Sequence, residues 1–148
     1  MSSLRLATMD DLDRLMKLVA AFHAEEGIAQ DDETRRGALE PLLQGSPHGA
    51  IWMIGPSMAP VGYIAVSFGW SIEFGGLDAF LDEFFVRERV RGRGMGSEAL
   101  ATLLRALSGQ GIAAMHLEVD TGNTRSRHLY ERMGFKTRDH YHLMSQLL

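Results

Sequence analysis

The sequence predicts an α/β fold in one domain spanning residues 1–148, and three observations carry it. Short apolar or alternating runs bounded by Gly and Pro read as strands, as at Ala50–Ile54 and Val61–Phe68. Longer stretches repeat their apolar residues at i, i+3 and i+4, the period of a helix with one buried face. One stretch joins the two patterns: apolar Phe80–Val86, then the turn Arg87-Glu-Arg-Val-Arg91-Gly-Arg-Gly94-Met-Gly96-Ser97, then Ala99, Leu100, Leu103, Leu104 and Leu107 at helical spacing. Strand, glycine loop and helix follow one another there.

Taken in order, Leu4–Ala7 reads as a first strand. Thr8 and Asp11 form a capping box ahead of a helix carrying Leu12, Leu15, Met16, Val19 and Phe22 and ending at Gly27. Glu25 and Glu26 at its end oppose the helix dipole and read as solvent-exposed. Asp31, Asp32 and Thr34 cap a second helix that Pro41 breaks or kinks. Gly55–Pro60 turns the next two strands into a hairpin. Trp70, Ile72 and Phe74 then alternate with Ser71 and Glu73 until Gly75-Gly76. Leu77–Val86 is the central strand, Met115–Val119 another, Asn123–Met133 a last helix stopped by Gly134, and Tyr141–Leu147 a closing strand.

A chain of 148 residues with 45% hydrophobic content supports one real core and no second domain. Without cysteine there is no disulfide framework, thiolate metal site or cysteine nucleophile. No signal-like start and no apolar run near ~18 residues point away from export and membranes, so a cytoplasmic protein is expected. The formal charge of −4 argues against nucleic acid as a partner. His140 and His142 fall on one face of the expected closing strand, but two imidazoles without a third ligand do not make a metal site, and no metal is expected. His23, His48, His116 and His128 show no partner pattern.

Alternating glycines ahead of a helix leave backbone N–H groups unscreened and aim them, with the helix dipole, at whatever lies above the turn, which makes an anion site. Arg87, Arg89, Arg91 and Arg93 crowd that turn in an otherwise acidic chain. A flexible loop is the bland alternative. Gly94-Met-Gly96-Ser-Glu-Ala99 also fits the dinucleotide fingerprint, with Glu118 or Asp120 at about the right distance, although ~50 residues cannot hold the further βαβ units of a doubly wound domain. A Walker loop is excluded because no Gly-Lys-Ser/Thr follows.

About thirty residues downstream stands Asn123-Thr-Arg-Ser126-Arg-His-Leu129-Tyr130-Glu-Arg-Met-Gly134-Phe135. With both clusters the chain resembles the GNAT superfamily of acetyl-CoA-dependent N-acetyltransferases. Arg91-x-x-Gly94-x-Gly96 matches the family's pyrophosphate loop, and the later run matches Asn-x-x-Ala-x-x-Leu-Tyr-x-x-x-Gly-Phe with Ser126 in place of Ala. The resemblance is firm from Ala79 to Phe135 and looser over the N-terminal half. It implies a mixed, mostly antiparallel sheet flanked by about four helices. Its central parallel strand pair splays to admit the pantetheine arm. It also implies acetyl transfer from acetyl-CoA, a cosubstrate, to an amine by direct attack in a ternary complex.

By the same resemblance Arg91, Gly92, Arg93, Gly94, Met95, Gly96 and Ser97 cradle the pyrophosphate. Backbone N–H groups around Phe85 and Val86 polarise the thioester carbonyl, and Asn123 bonds the pantetheine or serves simply as an N-cap. A protonated amine must lose a proton before attack, so a base is required; Glu83 stands where many members carry a carboxylate. Asp82 points to the opposite face of a regular strand unless a bulge intervenes. Both carboxylates can instead be structural, capping loops or pairing with Arg87 and Arg89. Tyr130 matches the family's proton donor to the leaving thiolate, and its bland alternative is an aromatic packed beside Leu129. Trp70, Glu73 and Asp82 are the expected contacts to a cationic small-molecule or peptide-borne amine, with Phe74 and the acidic residues Glu25, Glu26, Asp31 and Asp32 as further candidates. A homodimer is usual for the family, and the sequence neither supports nor excludes one. A non-catalytic acyl-CoA-binding module remains the alternative, but it would have no need of the pair Glu83 and Tyr130.

Overall fold

The computed structural model describes residues 3–148. Among the described residues the helices and strands are β1 Leu4–Leu6, α1 Leu12–Glu26, α2 Asp32–Leu43, β2 Gly49–Ile54, β3 Gly62–Ser71, β4 Gly76–Val86, α3 Met95–Gly109, β5 Ala114–Leu117 and α4 Thr124–Arg132. The sheet order is β1-β2-β3-β4-β5. Pairing is antiparallel from β1 to β4 and parallel between β4 and β5, where α3 supplies the crossover that parallel strands need. The fold is therefore the mixed, mostly antiparallel α/β sheet with four helices. The chain divides into two compact units, one ending at Leu117 and the other Glu118–Leu148.

In the first unit the sheet is covered on both faces. Leu12, Leu15, Leu18 and Val19 of α1, with Leu39 and Leu43 of α2, pack on Ile51, Met53, Tyr63, Ala65 and Phe85. By strand alternation Ile64 and Val66 turn to the opposite face, the side of α3, whose Ala99, Leu100, Leu103 and Leu107 are buried. Gly96 in the first turn of α3 rests on that face: a Cβ there would meet Phe84 and Val86 side-chain carbons at 3.1 Å.

The register between β3 and β4 contains one bulge. Val66 pairs with Leu81 and Ala65 with Glu83, so Asp82 is an extra residue on β4. Without it Leu81, Glu83 and Phe85 would share a face. With it Leu81 joins the α3 side beside Val66, while Glu83 and Phe85 face α1 beside Ala65 and Tyr63. Pairing of β4 with β5 covers only Asp78–Leu81 and Ala114–Leu117. Ladder and bulge change at the same place.

The expected capping box of Thr8 and Asp11 is present, and it encloses a 3-10 turn at Met9–Asp11 ahead of α1, with Asp11 accepting from the Thr8 N–H at 2.8 Å. Other expectations are corrected. Pro41 does not break α2, which continues to Leu43. It sits in the last turn, where few backbone bonds remain to lose. The alternation at Trp70–Phe74 is no strand of its own: β3 ends at Ser71 and the following turn, with Gly75 at φ 83°, folds it back on β4. Tyr141–Leu147 forms no strand: it has no ladder partner among the described residues, and the Tyr141 N–H closes a turn on the Arg138 carbonyl. Leu143, Met144 and Leu147 are exposed, and His140 and His142 have no strand face to share.

In the second unit Asn123 caps α4, its side chain accepting from the Ser126 N–H at 3.1 Å. The helix ends in a Schellman motif: the Phe135 N–H bonds the Tyr130 carbonyl at 3.0 Å and the Gly134 N–H bonds that of Glu131 at 3.1 Å, with Gly134 at φ 101°. The Tyr130 and Phe135 rings pack edge-on, 5.9 Å apart, as the apolar contact of that motif.

Candidate active site

The apolar stripe of α1 runs Leu12, Leu15, Val19 and then His23, which puts an imidazole on the core face one turn before the helix ends at Gly27. There His23 Nε2 lies 2.7 Å from Glu83 Oε2. The other oxygen, Oε1, accepts a hydrogen bond of 2.8 Å from the Tyr63 hydroxyl. The His23 side chain is 6% exposed and that of Glu83 20%, so the carboxylate is the more open member. Burial, followed by the negative charge of Glu83, pushes the Tyr63 phenol far up from its ordinary value, and Arg35 opposes this only weakly. Tyr63 is thus a fixed donor to Glu83. Arg35, itself buried on α2, bonds Asp32 at 2.7 Å and the Gln30 carbonyl at 2.8 Å.

Glu83 therefore pairs with His23 and Tyr63, in place of the expected structural alternative of Arg87 and Arg89. The bulge places Asp82 beside it as an exposed residue. Beyond the bulge, the Arg87 N–H bonds the Val61 carbonyl at 2.7 Å. By alternation, of the two expected carbonyl-polarising amides, that of Phe85 is also directed at β3 and that of Val86 is not.

The glycine loop joins β4 to α3. Gly92 and Gly94 stand at φ 80° and 77°, and Gly94 is the N-cap of α3. A left-handed turn at a helix N-terminus converges its N–H groups on one point, the geometry of an anion nest. Gly96 differs: its backbone is not left-handed, and it is small because Phe84 and Val86 lie beneath it. Arg93, Met95 and Ser97 share the loop and the first turn, with Arg93 exposed.

Arg91 is more tied down than its sequence position suggests. Its Nε donates to the Val86 carbonyl at 2.7 Å, one terminal nitrogen reaches both oxygens of Glu25 at 2.9 and 2.7 Å, and its guanidinium lies 5.5 Å from the Phe85 ring centre. Glu25, expected in solvent or on the acceptor side, thus belongs to the loop. Trp70 and Glu73 do not gather at Glu83. Trp70 pairs with Leu77 near the β3–β4 turn and is 71% exposed; it stands five positions along β3 from Ala65, the partner of Glu83, roughly 17 Å along a strand. Phe74 packs its ring 5.4 Å from His116, which is 3.3 Å from Asp78.

Sequence reasoning missed His23 and Tyr63. The signal for His23 was present, as a polar residue continuing an apolar stripe at i+4 from Val19. Tyr63 offered none, since an aromatic in a buried strand reads as packing. Among the described residues no three His, Cys, Asp or Glu groups converge as a metal site, and no helix is long and apolar enough to cross a membrane.

Comparison with known proteins bears on this geometry. Residues 12–135 match the family model for the acetyltransferase (GNAT) family. The uncharacterized N-acetyltransferase YycN of Bacillus subtilis (strain 168) is 39% identical over 62 residues, a span of 42% of this chain and only 40% of that relative. The integron cassette protein HFX_CASS3, from the mobile metagenome of Cole Harbour Salt Marsh, is 34% identical with a TM-score of 0.85, covering 99% of this chain and 90% of that one. The structure of AAC(6')-Iy, an aminoglycoside N-acetyltransferase, in complex with a bisubstrate analog, CoA-S-monomethyl-acetylneamine, superposes with a TM-score of 0.82 over 100% of this chain and 99% of the other. At 18% identity that likeness concerns the fold alone.

Proposed function

Because the chain belongs to the acetyltransferase (GNAT) family, we propose that it moves the acetyl group of acetyl-CoA to a primary amine by direct attack in a ternary complex. The observation that carries this reading is Glu83, a part-exposed carboxylate fixed by two donors at the bulge where β4 leaves β5, one short loop before the glycine turn. In this reading Gly92, Gly94 and the first turn of α3 take the pyrophosphate of acetyl-CoA, with Arg93 adding charge. The Val86 N–H faces the thioester oxygen. Glu83, directly or through a water, takes a proton from the ammonium form of the acceptor. The freed nitrogen lone pair then adds to the carbonyl carbon. Collapse of the adduct breaks the C–S bond, Tyr130 gives its proton to the departing thiolate, and the proton shed by the cationic amide nitrogen restores the phenol. Asn123 bonds the pantetheine in addition to capping α4.

For the acceptor, the bisubstrate analog held by AAC(6')-Iy supports a small-molecule amine. Asp82, exposed beside Glu83, supplies negative charge next to the attacking nitrogen. Trp70 and Glu73 then contact only the far end of an extended cationic acceptor.

The test is a pair of variants measured with acetyl-CoA and a panel of amines by release of free CoA. Glu83→Gln should lower kcat and remove the acidic limb of the kcat/KM profile, and Tyr130→Phe should lower kcat by about 10²–10⁴-fold with little change in acetyl-CoA affinity. Full turnover in both would leave positioning alone as the source of rate. Acetyl-CoA binding without turnover on any amine would favour a binding module.

A further inference from the structure

We infer that His23 is the positioning residue of the site: it fixes the carboxylate of Glu83 for proton abstraction. This rests on Glu83 as the base and goes beyond it by assigning a buried histidine that no motif marks. The geometry begins with two donors on two oxygens. Tyr63 holds Oε1 at 2.8 Å and His23 holds Oε2 at 2.7 Å, from β3 and α1 respectively, so the carboxylate plane cannot rotate without losing one bond. Neither donor comes from β4 itself. The carboxylate's orientation is therefore set by the packing of α1 and β3 on the α1 face of the sheet, while its side chain stays partly exposed.

The chemistry of the pair follows from what lies behind the imidazole. With Glu83 ionised, a 2.7 Å contact requires the hydrogen on Nε2. Nδ1 is buried and has no partner among the described residues. A second hydrogen there would be a buried donor with nothing to accept it, an arrangement that protein interiors avoid. Nε2 is thus the nitrogen that donates to Glu83. The charged groups that bear on the neighbouring Tyr63 are Glu83 and Asp82 on β4 and Arg35 on α2. Arg35 is already occupied by Asp32 and Gln30. Glu83 is thus oriented by two donors from outside its own strand, and the guanidinium of Arg35 is engaged elsewhere.

Four variants test the assignment. His23→Leu keeps volume and apolar packing but removes the donor. It should hold the melting temperature and the acetyl-CoA KM near the parent values and lower kcat by about 10²-fold, the scale of a misplaced catalytic group. His23→Gln restores an N–H at the reach of Nε2 and should recover most of that loss. A merely structural histidine would give the opposite pattern, with Leu active and Gln no better. Tyr63→Phe removes the other donor and should lower kcat in the same sense, which keeps the inference testable if His23→Leu does not fold. Parental kcat in His23→Leu, or no recovery in His23→Gln, overturns the assignment. Glu83→Gln separates the two levels: unchanged kcat there would sink the base itself, whereas a slow Glu83→Gln beside a fast His23→Leu would sink only the role of His23.

Discussion

Asp11 shows how much one side chain can organise in this chain. Both its oxygens are held by Arg5, at 2.6 and 2.9 Å, and one also accepts the Thr8 N–H. The pair thus ties β1 to the entry of α1. The Arg5 hydrogen bonds first, then the Thr8 N–H, hold the Asp11 carboxyl below its ordinary value against the opposing effect of burial. A lowered folded-state value means that its contribution is complete above the unfolded carboxylate range and is lost as pH falls through the folded value. Asp11→Asn should cost about 2 kcal/mol at neutral pH, the scale of charged hydrogen bonds, and that difference from the parent should shrink below about pH 4. Denaturant melts at pH 7 and pH 3 would check it; an equal gap at both would refute the sign. At this scale the sequence was legible where a residue type has one use. Thr8 with Asp11, Asp31 as a cap and Asn123 as a cap all stood in the pattern. Gly94 and Gly96 had looked alike, yet one serves backbone conformation and the other packing. His23 and Tyr63 were not read because their partner is sixty and twenty residues away and no local period encodes it.

Between elements the sequence said less, because register is a property of pairs. The hydrophobic pattern of β4 admits a regular strand, and only its ladder with β3 reveals that Asp82 is surplus. The closing strand failed for the same reason: a strand-like run at Tyr141–Leu147 cannot make a strand without a partner. The contact between the end of α1 and the glycine loop also lay beyond sequence reading. Glu25 and Arg91 are each a little over two-fifths exposed, so their pair adds at most about 1 kcal/mol to stability. Its larger effect is electrostatic, as a carboxylate placed where a polyanion is proposed to bind. Arg91 keeps its bond to Val86 and its place over Phe85 without Glu25. Glu25→Gln should therefore leave the melting temperature nearly unchanged and lower the Kd for CoA by about two- to fivefold at low salt, an advantage that fades as ionic strength rises. A weaker Kd at low salt would mean that Glu25 anchors the loop instead.

Across the first unit the charged groups do not divide as simply as expected. The arginines of the glycine loop have acidic neighbours in Glu25 and in Glu88 of their own turn, and Asp82 stands by the base. Trp70 and Glu73 lie up the β3–β4 hairpin, roughly 17 Å from the Glu83 position along the strand. A short amine that reaches Glu83 cannot also touch that turn, whereas a cationic acceptor of about that length can meet both. Acceptor length thus becomes the variable that tests the proposed role of the hairpin. An exposed cation–π or ion-pair contact contributes about 0.5–1 kcal/mol, or a factor of two to five. Glu73→Gln and Trp70→Ala should each raise the KM for a long polyamine by about that factor and leave the KM for a short diamine and for acetyl-CoA as they were. An equal rise for short and long amines would mean that the variants act through the fold of the hairpin. A panel in which neutral or acidic amines are the better acceptors would remove the cationic acceptor altogether, because the exposed carboxylate of Asp82 beside the base would then give the preferred substrate no attraction, and an acidic one repulsion.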